Sequence, residues 1–477
     1  MANTCLLPYV SYTIWSSLRS TYLLRKIPGP SAPSWLWGCD WDMHKTPPGL
    51  RYLEWRARYG DIVKFKGALN RNILAISDRR AVKYILEEHV FDFPKPQGVR
   101  EWFRSLVGDG VLVVEEKAAH ARQRKLFAPA LNPDAVKPLL PVFHSLASKM
   151  VDGLMDRATE STFPFIEEDL QWWTNRLSLD AIGLAGFSYD FHSLSGNSNP
   201  LAMSLEALTN TADNFGSFVM KALLFSFPSI LKIPSQKGRY ISQTRAELGK
   251  VALDMWTCAK DSNETINRTL MSMMMEAEGA EIISNEEIAA QLCTLVQAGY
   301  ETVGCQMAWI LFEIARCSDT QELLRKEISS IPEPTYEDII QKMPLLDAIL
   351  KESLRLHPPV FELTHVAAFD TVVPITGPLC KKSDLTITIP RGTIIHIPVN
   401  VLQTEQEIWG DDAAVFKPQR WLDLGNSVEG TDRQKSLFAF RLEIIPDKPI
   451  EPFWSFVVRT RVRGQARSTL PLRLLKL

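Results

Sequence analysis

Three short stretches of this chain set charged or hydroxyl residues where chemistry or a buried network could use them. The first is AGYET, Ala298 to Thr302, where Glu301 and Thr302 are adjacent, Gly299 precedes them and Gly304 follows. The second is KESLRLHPP, Lys351 to Pro359, with Glu352 and Arg355 three residues apart. The third is FKPQRW, Phe416 to Trp421, which crowds Pro418, Arg420 and Trp421 into a stretch with neither helical nor strand periodicity.

The first stretch must sit on a helix. Ser284 and Glu287 form a capping box. Ile288, Leu292, Leu295, Val296, Val303, Met307, Ile310 and Leu311 then recur close to the helical period, so a long helix runs to about Cys317. Each interior glycine costs about 1 kcal/mol relative to alanine. Two of them near a carboxylate indicate either a distorted turn with a purpose or a close helix crossing.

The second stretch ends another helix, Leu345 to His357, stopped by Pro358 and Pro359. Leu346, Ile349, Leu350 and Leu354 form its apolar stripe. Glu352 and Arg355 are surface neighbours pointing away from that stripe, which on pattern alone makes them an exposed ion pair of little value. After Pro359, TVVPI, LTITIP and TIIHIPV read as short strands. The fold class expected is mainly α with a small β portion late in the chain (α+β). NFGSFVMKALLFSFPSILKIP, Asn214 to Pro234, is core, a membrane-surface segment or the roof of an apolar pocket.

Composition narrows the function. Of 477 residues, 45% are apolar and 23% charged, as in soluble globular proteins. The net charge of -2 gives no field for nucleic acid. The 7 cysteines form no CxxC pair and are odd in number, which argues for a reducing compartment. No HExxH, Cys/His zinc cluster, GxSxG, P-loop or GxGxxG is present. The first acidic residue is Asp40, and Pro8, Arg19 and several hydroxyl residues interrupt the opening apolar stretch. Residues 1–26 are therefore a membrane anchor, a targeting peptide or a disordered start. IPGPSAPSWLWG, residues 27–38, reads as a proline-rich hinge leading to the body, 39–477.

In this order, AGYET, the E-x-x-R stretch, the short strands and FKPQRW resemble the cytochrome P-450 family of haem-thiolate monooxygenases. HARQRKLFAPAL (His120 to Leu131) is similar to that family's haem-contacting helix, and IGLAGFSYDF (Ile182 to Phe191) to fungal microsomal members. The resemblance implies a cytochrome P-450 fold, haem as cofactor, an NADPH-dependent reductase as partner and an apolar small-molecule substrate oxidised with O2. It also implies an endoplasmic-reticulum membrane location on the cytosolic face, with a mitochondrial one as the alternative. The sequons at Asn263 and Asn267 would then be unused.

The resemblance assigns roles residue by residue. Thr302 and Glu301 would relay protons, since a hydroxyl beside an acid can pass them on. Gly299 would open the helix groove to oxygen and substrate. His120, Arg124 and His365 would contact haem propionates, a neutral histidine donating one hydrogen bond. Glu352, Arg355 and Arg420 would form a buried network, against the exposed pair that pattern alone gives.

The family's cysteine loop, F-x-x-G-x-x-x-C-x-G, should follow FKPQRW and supply the axial thiolate. Here Trp421 is followed by LDLGNSVEGTDRQKSLFAFRLEIIPDKPIEPFW, without a cysteine; the last one in the chain is Cys380. No residue is thus identified as metal ligand. The tail, FRLEIIPDKPIEPFWSFVVRTRVRGQ, is similar to the family's terminal β region, so the join lies near 435–440. A skipped exon or mispredicted gene model would account for it. The expectation for the chain as written is a fold incomplete near its C-terminus, weak or no haem binding, and an apolar gap beside the central helix.

Overall fold

The computed structural model describes residues 19–195, 199–210, 215–261, 270–279, 282–377, 385–422, 440–454 and 457–476. The start of the N-terminal segment, Cys5, Cys380, the two sequons and the expected join up to Ala439 lie outside the described residues. The chain is mainly helical with small sheets. It divides into two compact units: Met1–Trp102, Asp213–Ile233 and Val360–Ala413 form the first, and Phe103–Ala212, Pro234–Pro359 and Ala414–Leu477 the second. Among the described residues no helix is long and apolar enough to cross a membrane.

The first unit is built on a four-stranded sheet in the order Ile62–Lys66, Asn72–Ile76, Ile394–Pro398, Glu362–Val366. Val63 pairs with Ala75 and Thr364 with His396 antiparallel, whereas Ile73 and Ile394 are parallel partners. TIIHIPV is an inner strand, buried at every position from Ile394 to Pro398. A strand flanked on both sides and covered on both faces needs no polar alternation, and its core neighbours are Leu74, Ile76, Ile85 and Phe93. TVVPI and LTITIP pair as a hairpin, Thr371 to Pro374 with Thr386 to Ile389.

Two further expectations meet the first unit. The proline-rich stretch lies along the sheet: Lys64 donates its backbone N–H to Pro28 O at 2.8 Å, and Ile27 is buried. Of the apolar 214–234 stretch, Phe215–Leu224 is a helix. Its Phe218 is buried against Trp37 and Trp41, with ring centroids 5.1 and 4.7 Å away, while Phe215 and Phe227 are exposed.

Four helices of the second unit matter for function: α1 (Lys117–Phe127), α2 (Leu170–Phe187), α3 (Asn285–Arg316) and α4 (Pro344–Leu356). The capping box at Ser284 closes from both sides, and α3 runs through AGYET without a break. Its glycines serve a close crossing with α2, not a distorted turn. A Cβ on Gly304 would lie 2.9 Å from the Asn175 Cα, and one on Gly299 would lie 2.7 Å from the Ile182 side chain. Ser178 Oγ donates to Gly299 O at 2.7 Å across the same crossing. The tail forms strands where expected, Phe440–Ile444, Ile450–Trp454 and Val458–Val462, and a further one beyond them, Pro471–Lys476.

Candidate functional site

Helix α4 buries Ile349 of the expected stripe but departs elsewhere from the exposure that its pattern implies. Glu352, Ser353 and Arg355 are buried, whereas Leu350 and Leu354 of the expected stripe are 40% and 48% exposed. The reason is the number of donors converging on one carboxylate. Glu352 accepts from Arg355 Nε and Nη2, both at 2.8 Å, from the backbone N–H of Lys417 at 2.8 Å, from Arg420 Nε at 2.9 Å and from Trp421 Nε1 at 2.9 Å. FKPQRW thus wraps over the helix end and supplies three of those donors. Burial pushes the Glu352 carboxyl up, but these hydrogen bonds outweigh it and hold it below its ordinary value. Glu352, Arg355 and Arg420 are brought together as one buried network, and the exposed pair suggested by pattern is corrected.

On α3, Glu301 and Thr302 serve different partners. Adjacent helical residues point about 100° apart. The Thr302 hydroxyl donates to Ala298 O at 2.7 Å. The Glu301 carboxylate takes Gln297 Nε2 at 3.3 Å and faces Arg459, whose Nε is 3.2 Å from Oε1. Arg459 comes from the Val458–Val462 strand, and nothing in the local pattern of VVRTRV marks it as buried.

The same strand closes on the helix one turn further along. Val458 O accepts from Cys305 Sγ at 2.8 Å and from Trp309 Nε1 at 2.9 Å. Trp309 stacks on His357, with centroids 4.1 Å apart, and His357 Nε2 lies 2.7 Å from Glu313 Oε1. The strand, the middle of α3 and the end of α4 therefore form one polar-pinned core, all within the second unit.

The expected haem contacts lie in both units. His120 and Arg124 sit on α1 in the second, with Arg124 exposed. Their helix is tied to the start of α3 through Arg122, which meets Glu287 at 2.5 Å and Ile282 O at 2.6 Å. His365 is in the first unit, its Nδ1 2.6 Å from Phe93 O. Burial pushes its pKa down, so the ring is neutral at pH 7. Only an N–H can pair with a carbonyl, so the single proton of the neutral ring is committed to Phe93. Gly299 lies against Ile182, whose side chain a Cβ at that position would meet.

An axial thiolate finds no donor among the described cysteines. Burial raises the Cys305 thiol to about 12 and those of Cys293 and Cys39 to about 11, so all three stay protonated at neutral pH. Cys317 is also raised by burial. Cys258 is exposed on the helix Gln236–Asp261, at the surface of its unit. No group of His, Cys, Asp and Glu able to hold a metal ion occurs among the described residues. None of the described cysteines follows FKPQRW in the chain, where the resemblance places the axial ligand.

Comparison with known proteins identifies the lineage. The cytochrome P450 family model matches residues 28–439. The chain is 32% identical to cytochrome P450 monooxygenase claP of Ampulloclitocybe clavipes, covering 84% of this chain and 78% of the relative. It is 30% identical to cytochrome P450 monooxygenase 205 of Postia placenta, over 86% and 79% of the two chains. With claU of A. clavipes, identity is 29% over 520 positions, covering 97% and 96%. Those 520 positions exceed the 477 residues of the chain, so some positions of claU have no counterpart here. The ordered motifs, the mainly helical fold and these relatives lead to one conclusion: the chain belongs to the cytochrome P450 family, whose members are haem-dependent oxidoreductases.

Proposed function

We propose that this chain descends from a membrane-associated fungal monooxygenase that oxidises an apolar small molecule with O2 and electrons from an NADPH-dependent reductase. We further propose that the sequence as written is an inactive form, lacking the cysteine loop and the helix behind it. The acid-free start with Arg19, Arg25 and Lys26 supports attachment at the cytosolic face of the endoplasmic reticulum.

The observation that carries the reading is the outward-turned apolar surface beside the Glu352 network. Val303, Leu350 and Leu354 are 47%, 40% and 48% exposed. They flank the hydrogen bond from Gln306 Nε2 to Ser353 Oγ, 2.8 Å long, that joins α3 to α4. Exposed apolar side chains on two central helices suit a surface that a further helix would cover.

Haem, when bound in this family, supplies the oxygen-activating iron. In this chain the Glu301 carboxylate is engaged by Arg459, and the sequence after Trp421 holds no cysteine to supply a thiolate. Two experiments test the reading. Purified protein reduced in the presence of haem and carbon monoxide should show no thiolate-type Soret band; a clear band overturns the inactive assignment. Translation of the genomic DNA between the codons for Leu437 and Arg441 should reveal a frame encoding a Phe-Gly-Cys-Gly loop, and its absence from every frame removes the explanation by gene structure.

A further inference from the structure

We propose that Asp40, Tyr52, Glu362 and His396 form a proton-dependent clasp, which fastens residues 40–59 to the four-stranded sheet while the imidazole is charged and lets them open locally when it is neutral. All four residues belong to the first unit, so the inference does not depend on the haem reading.

The clasp joins three parts of the chain. Asp40 begins the helix Asp40–Lys45, Tyr52 sits on the helix Leu50–Tyr59, and Glu362 and His396 come from adjacent antiparallel strands. The Tyr52 hydroxyl donates its proton to Glu362, so its oxygen can only accept from the ring. His396 Nδ1 lies 2.6 Å from that oxygen and 3.3 Å from Glu362 Oε1. Nδ1 therefore keeps its proton, and Nε2 is the nitrogen that gains or loses one. His396 Nε2 is buried and has no hydrogen-bond partner among the described residues, so the ring's charge is held by the field of the carboxylates. Asp40 Oδ2 accepts from the backbone N–H of Ala68 at 2.7 Å, which ties the first helix to the turn between two strands of the sheet.

Other groups around the ring are apolar or committed elsewhere. Phe65 and Phe225 face it, with ring centroids 5.8 and 6.3 Å away. Lys64 and Lys66, on the strand of Phe65, donate to Leu24 O at 2.9 Å and Asn70 O at 3.2 Å. The Thr364 hydroxyl donates to Glu362 Oε1 at 3.1 Å. On the two helices, His44 stacks on Trp41 and Asp42 takes Arg51 Nη2 at 2.9 Å. Arg71 acts on Asp40 through its charge, but its guanidinium is held at Phe225 O and Ser226 Oγ.

Burial pushes the His396 pKa down, but the Glu362 and Asp40 carboxylates outweigh this and raise it. Burial also pushes the Asp40 carboxyl up to about 6. Both shifts mean that the closed cluster holds protons more tightly than the open one. Closure is therefore favoured below the unfolded histidine value of about 6.5 and weakens as pH rises through the raised folded value. A neutral imidazole leaves two carboxylates in the interior without its charge, and opening to water relieves them. The two helices have 6 and 10 residues. Isolated helices shorter than about 12 residues are marginal in water, so these two do not persist away from the sheet and opening exposes their amides.

Hydrogen exchange of the full chain, read by mass spectrometry and corrected for the intrinsic rate, tests the proposal. Protection of residues 40–59 should fall about tenfold or more from about pH 6 to about pH 8.5, while α4 in the second unit keeps its protection. His396→Gln should show weak protection of residues 40–59 throughout, without the fall. Asp40→Asn keeps an oxygen for the Ala68 N–H and removes a charge that raises the imidazole, so its fall should move to lower pH; this variant carries the test if His396→Gln does not fold. Protection of residues 40–59 that ignores pH, an equal fall in α4, a His396→Gln profile like the parent's, or an Asp40→Asn fall at the parent's pH would each overturn the clasp.

Discussion

Arg459 and Glu301 form a buried charge pair, Nε to Oε1 at 3.2 Å, with side chains 1% and 2% exposed. The pair couples the last part of the chain to the middle of α3. Removing one member leaves the other charged without its partner in a low-dielectric interior, which costs about 3–5 kcal/mol. Arg459→Met should therefore lower unfolding free energy by about that amount. Adding Glu301→Gln to it should recover much of the loss. Urea denaturation of the single and double variants measures both. A single variant costing less than about 1 kcal/mol would mean that the pair does not form.

The Glu352 network makes an acid-stability prediction. Its folded pKa is depressed, so its contribution is present above the unfolded value of about 4.3 and is lost as pH falls through the lower folded one. Arg420→Ala removes one donor and raises the folded value toward the unfolded one. The midpoint of acid unfolding should move to higher pH, as followed by circular dichroism. Superimposable acid-unfolding curves for parent and variant would sink the prediction.

The first unit carries a second buried cluster with the opposite sign. The Tyr52 hydroxyl donates to Glu362 and lies 2.6 Å from His396 Nδ1, which is 3.3 Å from Glu362 Oε1. Burial pushes the His396 pKa down, but the Glu362 carboxylate and the nearby Asp40 outweigh this and raise it. A raised histidine pKa stabilises fully below the unfolded value of about 6.5 and loses that contribution as pH rises through the folded value. The stability difference between parent and His396→Gln should thus be largest in mildly acidic buffer and shrink above neutrality. A difference that grows with pH, measured by denaturation at several pH values, would reverse the assignment.

Thiol reactivity checks the cysteine environments. Native protein alkylated with iodoacetamide at mildly alkaline pH should be labelled at Cys258 and spared at Cys293 and Cys305, whose thiols are buried and raised to about 11 and about 12. Mass spectrometry after digestion locates the label, and denatured protein should label all three. Rapid native labelling of Cys305 would show that the Val458 strand does not close over α3.

Local sequence determined the elements. The capping box at Ser284, the β-branched runs after Pro359 and the strands of the tail are all where periodicity and punctuation put them, because hydrogen bonding within a helix or hairpin depends on near neighbours. The ordered motifs also carried the family. Tertiary structure alone decided which faces those elements bury. Glu352 and Arg355 turn inward, and Leu350 and Leu354 outward, because donors more than 60 residues away in the chain converge on one carboxylate. His365 commits its proton to Phe93, 272 residues earlier, and Arg459 reaches Glu301 from the tail. Burying a charge or a polar ring is favourable only when a partner arrives, and no local pattern says which distant residue that partner will be.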